Sequence, residues 1–329
     1  MIPFLDTWSR CSHTLAALTG SKTTTPGPPA RYIDQGDGVA ESPRTPFRQR
    51  VKIERKGERT RSTRPERPIP LGHGGLDGDM QRYSRQVILK GFGLVGQKKL
   101  QEAKVLVAGA GGLGSAALFY LAAAGVGTLG ISDFDTVVCS NLNRQILHFS
   151  EDIDRPKPDS AAEKIARLNP EVKVVKHSSR LHRANVASVI GGYDLVIDAT
   201  DNFIARYLIS DCCYFLKKPV VEGAVSDYDG ILLTIIPDRT PCYRCLYPMP
   251  PEDGVLPASS DTGILGPVAG IIGTAQALEA IKLILGIGET VSGRILTFDG
   301  LKTSFQEIPW GRRPACPLCG DEPTIHEVS

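Results

Sequence analysis

Three groups of residues have types and spacing that could do chemistry. The first is Gly109-Ala-Gly111-Gly112-Leu-Gly114, a G-x-G-x-x-G stretch between the apolar run 104–108 and the apolar segment 116–124. A loop of this kind, between a buried strand and a helix, offers a phosphate its backbone N–H groups and the positive end of the helix dipole. Gly109 permits the turn, Gly111 the close approach of a phosphate, and Gly114 the packing of helix on strand. The next predicted strand, 126–133, ends in Asp133, a carboxylate placed to accept hydrogen bonds from a ribose.

The second group is Arg144, Lys157 and Asp201. Each follows the end of a predicted strand or opens a predicted helix, on the edge where α/β sheets bind ligands. Two cations beside a glycine loop suit a triphosphate, and an Asp at a strand end suits Mg²⁺. An NAD-dependent oxidoreductase is the competing reading of the glycine loop. Its nicotinamide would need an acid/base such as His, and His148, His177, His182 and His326 fall in no such motif.

The third group is Cys242-Tyr-Arg-Cys245 and Cys316-Pro-Leu-Cys319, a C-x-x-C pair of pairs separated by 70 residues. Four thiolates from two such knuckles match tetrahedral Zn²⁺ and leave no open position for a substrate. The metal would staple the C-terminal segment back onto the body. A catalytic zinc or a redox dithiol are the alternatives.

The elements that must position these residues alternate. After two short helices in 82–103 come the glycine-loop strand and helix, the strand ending at Asp133, and a polar stretch containing Asn141 and Arg144. A helix opened by Arg155-Pro-Lys157 follows, then a strand at 172–176, a helix at 183–190, and the strand 193–199 leading to Asp201. Another helix, 203–216, leads to a strand at 219–225; antiparallel strands at 230–237 and 293–308 flank a long helix at 267–285. This order predicts an α/β fold: a doubly wound, Rossmann-like, mostly parallel sheet with an antiparallel C-terminal extension and a four-cysteine zinc site.

Residues 1–79 show no sustained period and are rich in Pro, Gly, Ser, Thr and Arg, so they read as a disordered extension. Ten Lys/Arg lie between 44 and 67, and residues 1–79 carry +4 of the net +2, leaving −2 on 80–329. The folded part is therefore no basic nucleic-acid binder. Weak transit-peptide and RNA-tethering readings of the extension stand beside the blander one, in which folding, and natural translation with it, starts at Met80. No signal peptide is evident, and metal-spaced cysteines suit a reducing cytoplasm. The most apolar run, 264–287, is interrupted by Gln276, Glu279 and Lys282 and reads as a buried helix rather than a membrane span.

RYSRQ, GAGGLG, DFD, NLNRQ, RPKPDSA, ATDN, CYRC and CPLC occur in that order over 82–329. In this the chain resembles the MoeB/ThiF-type adenylyltransferases that activate ubiquitin-like sulfur carriers, relatives of the ubiquitin-activating enzymes. The resemblance implies that Gly109, Gly111, Gly112 and Gly114 lie under ATP, Asp133 holds the ribose, and Asn141, Arg144 and Lys157 contact the phosphates. It implies that Arg85 reaches the γ-phosphate from the other subunit of a homodimer and that Asp201 binds Mg²⁺. The partner would be a carrier ending in Gly-Gly, adenylated at its C-terminal carboxylate, in molybdopterin synthesis rather than thiamine thiazole synthesis. A relative that adenylates and cyclises a tRNA-bound carboxylate is a further alternative. The domain expectation is a nucleotide-binding part, 80–225, and a carrier-binding part with the zinc site, 226–329. Two departures stand out. The chain ends ten residues past Cys319, so no rhodanese sulfurtransferase domain is expected, and the loop 247–266 has Ser259 and Ser260 where many relatives carry a Cys.

Overall fold

The computed structural model describes residues 78–250 and 263–328. The expected disordered extension, 1–79, lies almost wholly outside them, and so do Ser259 and Ser260. Three short helices, α1 (Gly78–Gln81), α2 (Ser84–Val87) and α3 (Gly93–Glu102), precede strand β1 (Lys104–Ala108). The two helices expected from the sequence are α2 and α3. They are separated at Gly91, whose positive φ of 83° no continuing helix can hold.

Next come α4 (Gly112–Ala124), β2 (Thr128–Ser132), two 3₁₀ turns (Cys139–Asn141 and Ser150–Asp152), α5 (Lys157–Leu168) and β3 (Lys173–His177). The chain continues through α6 (Val186–Gly191), β4 (Leu195–Asp198), α7 (Phe203–Phe215), β5 (Val220–Ser226), β6 (Asp229–Ile235) and α8 (Tyr243–Leu246). It closes with α9 (Gly266–Leu285), β7 (Arg294–Asp299) and β8 (Ser304–Pro309). Helix α6 starts later than its apolar pattern predicts. The Asn185 side chain accepts from the His182 N–H at 2.8 Å and holds 182–185 as a turn.

The eight strands form one sheet in the order β3-β2-β1-β4-β5-β6-β7-β8. Strands β1 to β5 are parallel and β6 to β8 antiparallel, as the sequence predicts. The interior of β1 and all of β4 are buried, because helices cover a parallel sheet on both faces; hence their unbroken apolar sequences. The chain winds outward from β1 to β3, then returns to add β4 on the other side of β1. The loops after β1 and β4 therefore diverge at a topological switch point, where open α/β sheets form their ligand crevice.

Helix α9 is long and apolar enough to span a membrane, but half of its apolar window is buried inside this fold. It crosses α4 closely: a Cβ on Gly273 would fall 2.2 Å from the Leu113 carbonyl oxygen. Its polar residues serve the core. Gln276 donates to the Asp198 and Val221 carbonyls at 2.7 and 3.0 Å, and Glu279 accepts from Thr234 and the Val291 N–H at 2.6 and 2.7 Å. Two of the three interruptions that argued against a membrane span, Gln276 and Glu279, thus join the helix to the sheet, while Lys282 pairs with Glu279 and the Glu289 carbonyl.

Candidate nucleotide site and metal centre

The glycine loop sits at the switch point. Gly109 has φ +97°, its N–H donates to the Ser132 carbonyl at 2.8 Å, and a Cβ there would meet the Ala199 carbonyl at 2.6 Å. The loop is thereby wedged between the ends of β2 and β4. A Cβ on Gly114 would lie 1.9 Å from the Gly109 oxygen, so helix and loop can touch only through glycine. Gly111 differs. A Cβ there would meet only Gln145 Nε2, at 3.6 Å, so its backbone borders open space.

Asp133 stands one residue beyond β2. Its Oδ2 accepts from the Ala110 N–H at 2.8 Å and its Oδ1 from the Asp135 N–H at 2.9 Å. The Lys157 ammonium, at the first position of α5, lies 3.9 Å from Asp133 and 3.0 Å from Asp135. Burial pushes the Asp133 pKa up; Lys157 and the two N–H groups oppose that rise without cancelling it. The structure thus brings Asp133 and Lys157 to the glycine loop.

Asn141 closes the first 3₁₀ turn, and its carbonyl accepts from the N–H groups of Arg144 and Gln145 at 3.1 and 2.9 Å. Arg144 is braced by the Ser140 carbonyl and Asn143 Oδ1, at 3.0 and 3.1 Å. Its side chain lies beside the loop, since a Cβ on Gly112 would come within 3.6 Å of Arg144 Cγ. The start of α9 backs this turn: a Cβ on Gly266 would stand 2.4 Å from the Asn143 oxygen.

Asp201 is exposed on the turn that follows β4. That turn is held from below. Asp198 Oδ1 accepts from the Thr200 N–H and hydroxyl at 2.9 and 2.6 Å. Arg206, buried on α7, donates to the Thr200 carbonyl, and to the Gly223 carbonyl at 2.8 Å. Asn202 caps α7 by accepting from the Ala205 N–H at 2.9 Å.

Arg85 does not join the others. Gln86 donates to the Ala124 carbonyl, which anchors α2 at the far end of α4. Twelve residues of helix separate Ala124 from Gly112, about 18 Å at 1.5 Å per residue. Arg85 is exposed and has no hydrogen-bond or ion-pair partner among the described residues.

Sequence reasoning missed His148, Arg206 and Glu222. His148 extends NLNRQ-Ile-Leu, and it is buried with Nε2 2.9 Å from the Ala110 carbonyl oxygen and Nδ1 2.9 Å from Ser160 Oγ. Its signal was a histidine in an otherwise apolar stretch that also lacked any acid/base motif. Arg206 and Glu222, both buried, carry no sequence signal, because a predicted helix and strand do not reveal which charges they bury.

The four cysteines of the two knuckles meet. Their sulfurs all lie within 4.8 Å of one another, at 3.9 Å for Cys242–Cys245, 3.5 Å for Cys242–Cys316 and 3.3 Å for Cys245–Cys319. None is in a disulfide. Zn–S bonds of about 2.3 Å in a tetrahedron set sulfurs about 3.8 Å apart, so the donor set fits Zn²⁺ with little movement. The Arg313 N–H points at Cys245 Sγ, at 3.5 Å.

Fold and site together define a nucleotide-binding α/β protein with a separate four-thiolate centre. Residues 83–318 match the ThiF family model, and the chain belongs to that family. It is 43% identical over 255 residues to the sulfur carrier protein adenylyltransferase of Thermus thermophilus, covering 76% of this chain and 94% of that protein. It is 45% identical over 242 residues to the SAMP-activating enzyme E1 of Haloferax volcanii, covering 74% and 89%. The match to adenylyltransferase and sulfurtransferase MOCS3-2 of Zea mays, 46% identical, covers 77% of this chain but 53% of that longer protein. A crystal structure of E. coli MccB with ATP shares the fold: TM-score 0.64 at 21% identity, over 72% of this chain and 74% of that one.

Proposed function

We propose that the chain is an adenylyltransferase that uses ATP and Mg²⁺ to activate the C-terminal glycine of a ubiquitin-like sulfur-carrier protein ending in Gly-Gly. The observation that carries this reading is the meeting of the glycine loop, Asp133, Lys157, Arg144 and the Asp201 turn at the β1/β4 switch point. They meet in a chain 43–46% identical to proteins of that name.

In this reading the glycine-loop N–H groups and the α4 N-terminus hold the phosphates, Asp133 the ribose, and Asn141, Arg144 and Lys157 the triphosphate. Asp201 holds Mg²⁺, which when bound neutralises charge on the phosphates. The carrier carboxylate attacks the α-phosphorus in line; the α–β bridging bond breaks, and acyl-adenylate and pyrophosphate form. No side chain forms a bond. Orientation of two reactants can supply about 7–11 kcal/mol of such a barrier, and preorganised cations much of the rest.

The enzyme acts as a homodimer, with Arg85 donated across the interface; the distance of α2 from its own glycine loop supports that arrangement. The four-cysteine centre holds a structural Zn²⁺ that pins 316–319 to 242–245. We place the enzyme in the cytoplasm and in molybdopterin cofactor biosynthesis, the pathway the sequence resemblance implies. The test is ATP–pyrophosphate exchange by the purified protein, with carriers of the molybdopterin and thiamine pathways compared. Exchange is expected only with a Gly-Gly-terminated carrier. Tight NADH binding without ATP binding would overturn the assignment.

A further inference from the structure

Ala110, in the middle of the glycine loop, is clamped at both ends. Its N–H donates to Asp133 Oδ2 at 2.8 Å, and its carbonyl oxygen is 2.9 Å from His148 Nε2. A carbonyl only accepts, so Nε2 must carry a hydrogen. Burial disfavours a charged imidazole here and Lys157 adds to that effect, although the Ala110 carbonyl pulls the other way. With the ring neutral, Nδ1 is bare and lies 2.9 Å from the hydroxyl of Ser160, which is fully buried in the first turn of α5 and is shared with the Asp152 carboxylate. One ring therefore ties the glycine loop to the helix that starts with Lys157.

The consequence follows from the peptide unit. In a trans peptide the carbonyl of one residue and the N–H of the next point in opposite directions. With the Ala110 oxygen turned inward to His148, the Gly111 N–H must point outward. That N–H donates to no acceptor among the described residues, and the space beside Gly111 is open, since a Cβ there would meet only Gln145. We propose that His148 is a positioning residue for the phosphate cradle: by holding the Ala110 carbonyl it aims the Gly111 N–H at the nucleotide phosphates. Without that donor the 110–111 peptide is free to rotate, and the phosphates lose a preorganised donor. This inference rests on the reading of the glycine loop as the ATP site.

The test compares wild type, His148→Leu, His148→Gln and His148→Asn. Mg-ATP affinity is read by calorimetry, adenosine binding by NMR titration, and folding by thermal melts. Leu fills much of the ring's volume without a donor, whereas Gln places an amide N–H near the Nε2 position. Loss of one aimed hydrogen bond predicts about tenfold weaker Mg-ATP binding in His148→Leu, with adenosine unchanged because Asp133 is intact. His148→Gln should stay within about threefold of wild type for both ligands. A purely structural role would weaken adenosine and ATP together, and that result overturns the proposal; so does wild-type ATP affinity in a folded His148→Leu. Should His148→Leu fail to fold, His148→Asn decides, because its shorter amide can reach Ser160 but not the Ala110 carbonyl. Weaker ATP binding with unchanged adenosine binding supports the proposal, and no change on either ligand overturns it. A wild-type protein that binds no Mg-ATP refutes the ATP-site reading itself, which is a distinct outcome.

Discussion

The side-chain amide of Gln86 donates to the Ala124 carbonyl at 2.8 Å, and this contact fixes the neighbouring Arg85 at the opposite end of α4 from the glycine loop. An extended arginine side chain cannot bridge a helix of this length. If Arg85 serves the phosphates, it serves those of another copy, and the two defects Arg85→Ala and Asp201→Ala should complement. Each variant alone is expected to lose pyrophosphate exchange. Mixed after subunit exchange, they form heterodimers with one intact site, giving about a quarter of wild-type activity for random pairing in a two-fold dimer. A mixture as inactive as its components would place Arg85 outside the site.

The four-cysteine centre predicts about one zinc per chain. Cys316→Ser should destabilise the fold severely, because structural Zn²⁺ in such sites is worth about 10–16 kcal/mol in apparent binding. The measurement is metal content by mass spectrometry together with urea midpoints before and after chelation. Unchanged stability in metal-free protein would show that the thiolates do not form a metal site.

Asp198 and Glu222 face one another across β4 and β5, and Asp198 Oδ2 and Glu222 Oε1 are both buried without another partner. Burial pushes the Glu222 pKa far up, the Asp198 charge adds to it, and Arg206 opposes it. A proton on Glu222, donated to Asp198, satisfies both oxygens. Glu222→Gln keeps a donor and should cost less than about 1 kcal/mol. Glu222→Ala leaves Asp198 Oδ2 buried without a donor and should cost about 1–3 kcal/mol. Equal losses in denaturant titrations of the two variants would show that Glu222 is not protonated in the folded state.

That pair also shows where the sequence was legible and where it was not. The doubly wound sheet could be read because buried parallel strands are unbroken apolar runs, and β1 and β4 are such runs. The glycine loop, Asp133, Lys157 and Asp201 could be read because each sits at a strand end or a helix start, and the knuckles because C-x-x-C spacing is local. Glu222 and Arg206 gave no such signal. Their burial follows from strand register and from the face α7 presents, which are properties of tertiary packing. His148 was visible as a residue, but its role depends on the direction of one carbonyl in a loop whose sequence does not specify it.

Stability should fall in two acid windows. The His148 pKa is lowered by burial, so the unfolded chain takes up a proton first, near its ordinary value of about 6.5. Stability therefore falls as pH drops below about 6.5 toward the lower folded value, and His177, also lowered by burial, adds to the same slope. The second window belongs to Asp152. Burial opposes its charge, yet Lys164 and the Phe149 N–H hold its pKa down to about 2. Its contribution is present above the ordinary carboxylate value and is lost as pH falls from about 4 to 2. Urea midpoints between pH 5 and 8 should show a shallower slope in His148→Gln than in wild type. A wild-type curve that rises toward acid would contradict the assignment.

The final prediction concerns where the chemistry stops. Relaying the activated carrier onto the enzyme needs a thiolate close to the adenylate, since serine is a far weaker nucleophile without a dedicated base. No cysteine occurs between Cys245 and Cys316, so the loop that carries Ser259 has none. Cys212 and Cys213 are buried in α7; burial, with Asp211 adding, pushes the Cys212 thiol up to about 11, and Cys213 is raised well above the usual range. Cys242, Cys245, Cys316 and Cys319 are committed to one another. Cys139 is exposed and stands two residues before Asn141, which makes it the one accessible thiol among the described residues outside the knuckles. It lies at the start of the turn that braces Arg144, on the phosphate side of the proposed site rather than in the loop 247–266, where many relatives carry a Cys. The enzyme is therefore expected to make and hold the acyl-adenylate without passing the carrier to a cysteine of the described residues. Incubation with carrier and Mg-ATP, followed by non-reducing electrophoresis with and without thiol, should show no thiol-sensitive enzyme–carrier adduct. An adduct that vanishes in Cys139→Ser, with adenylate formation unchanged, would show that the chain carries the carrier one step further.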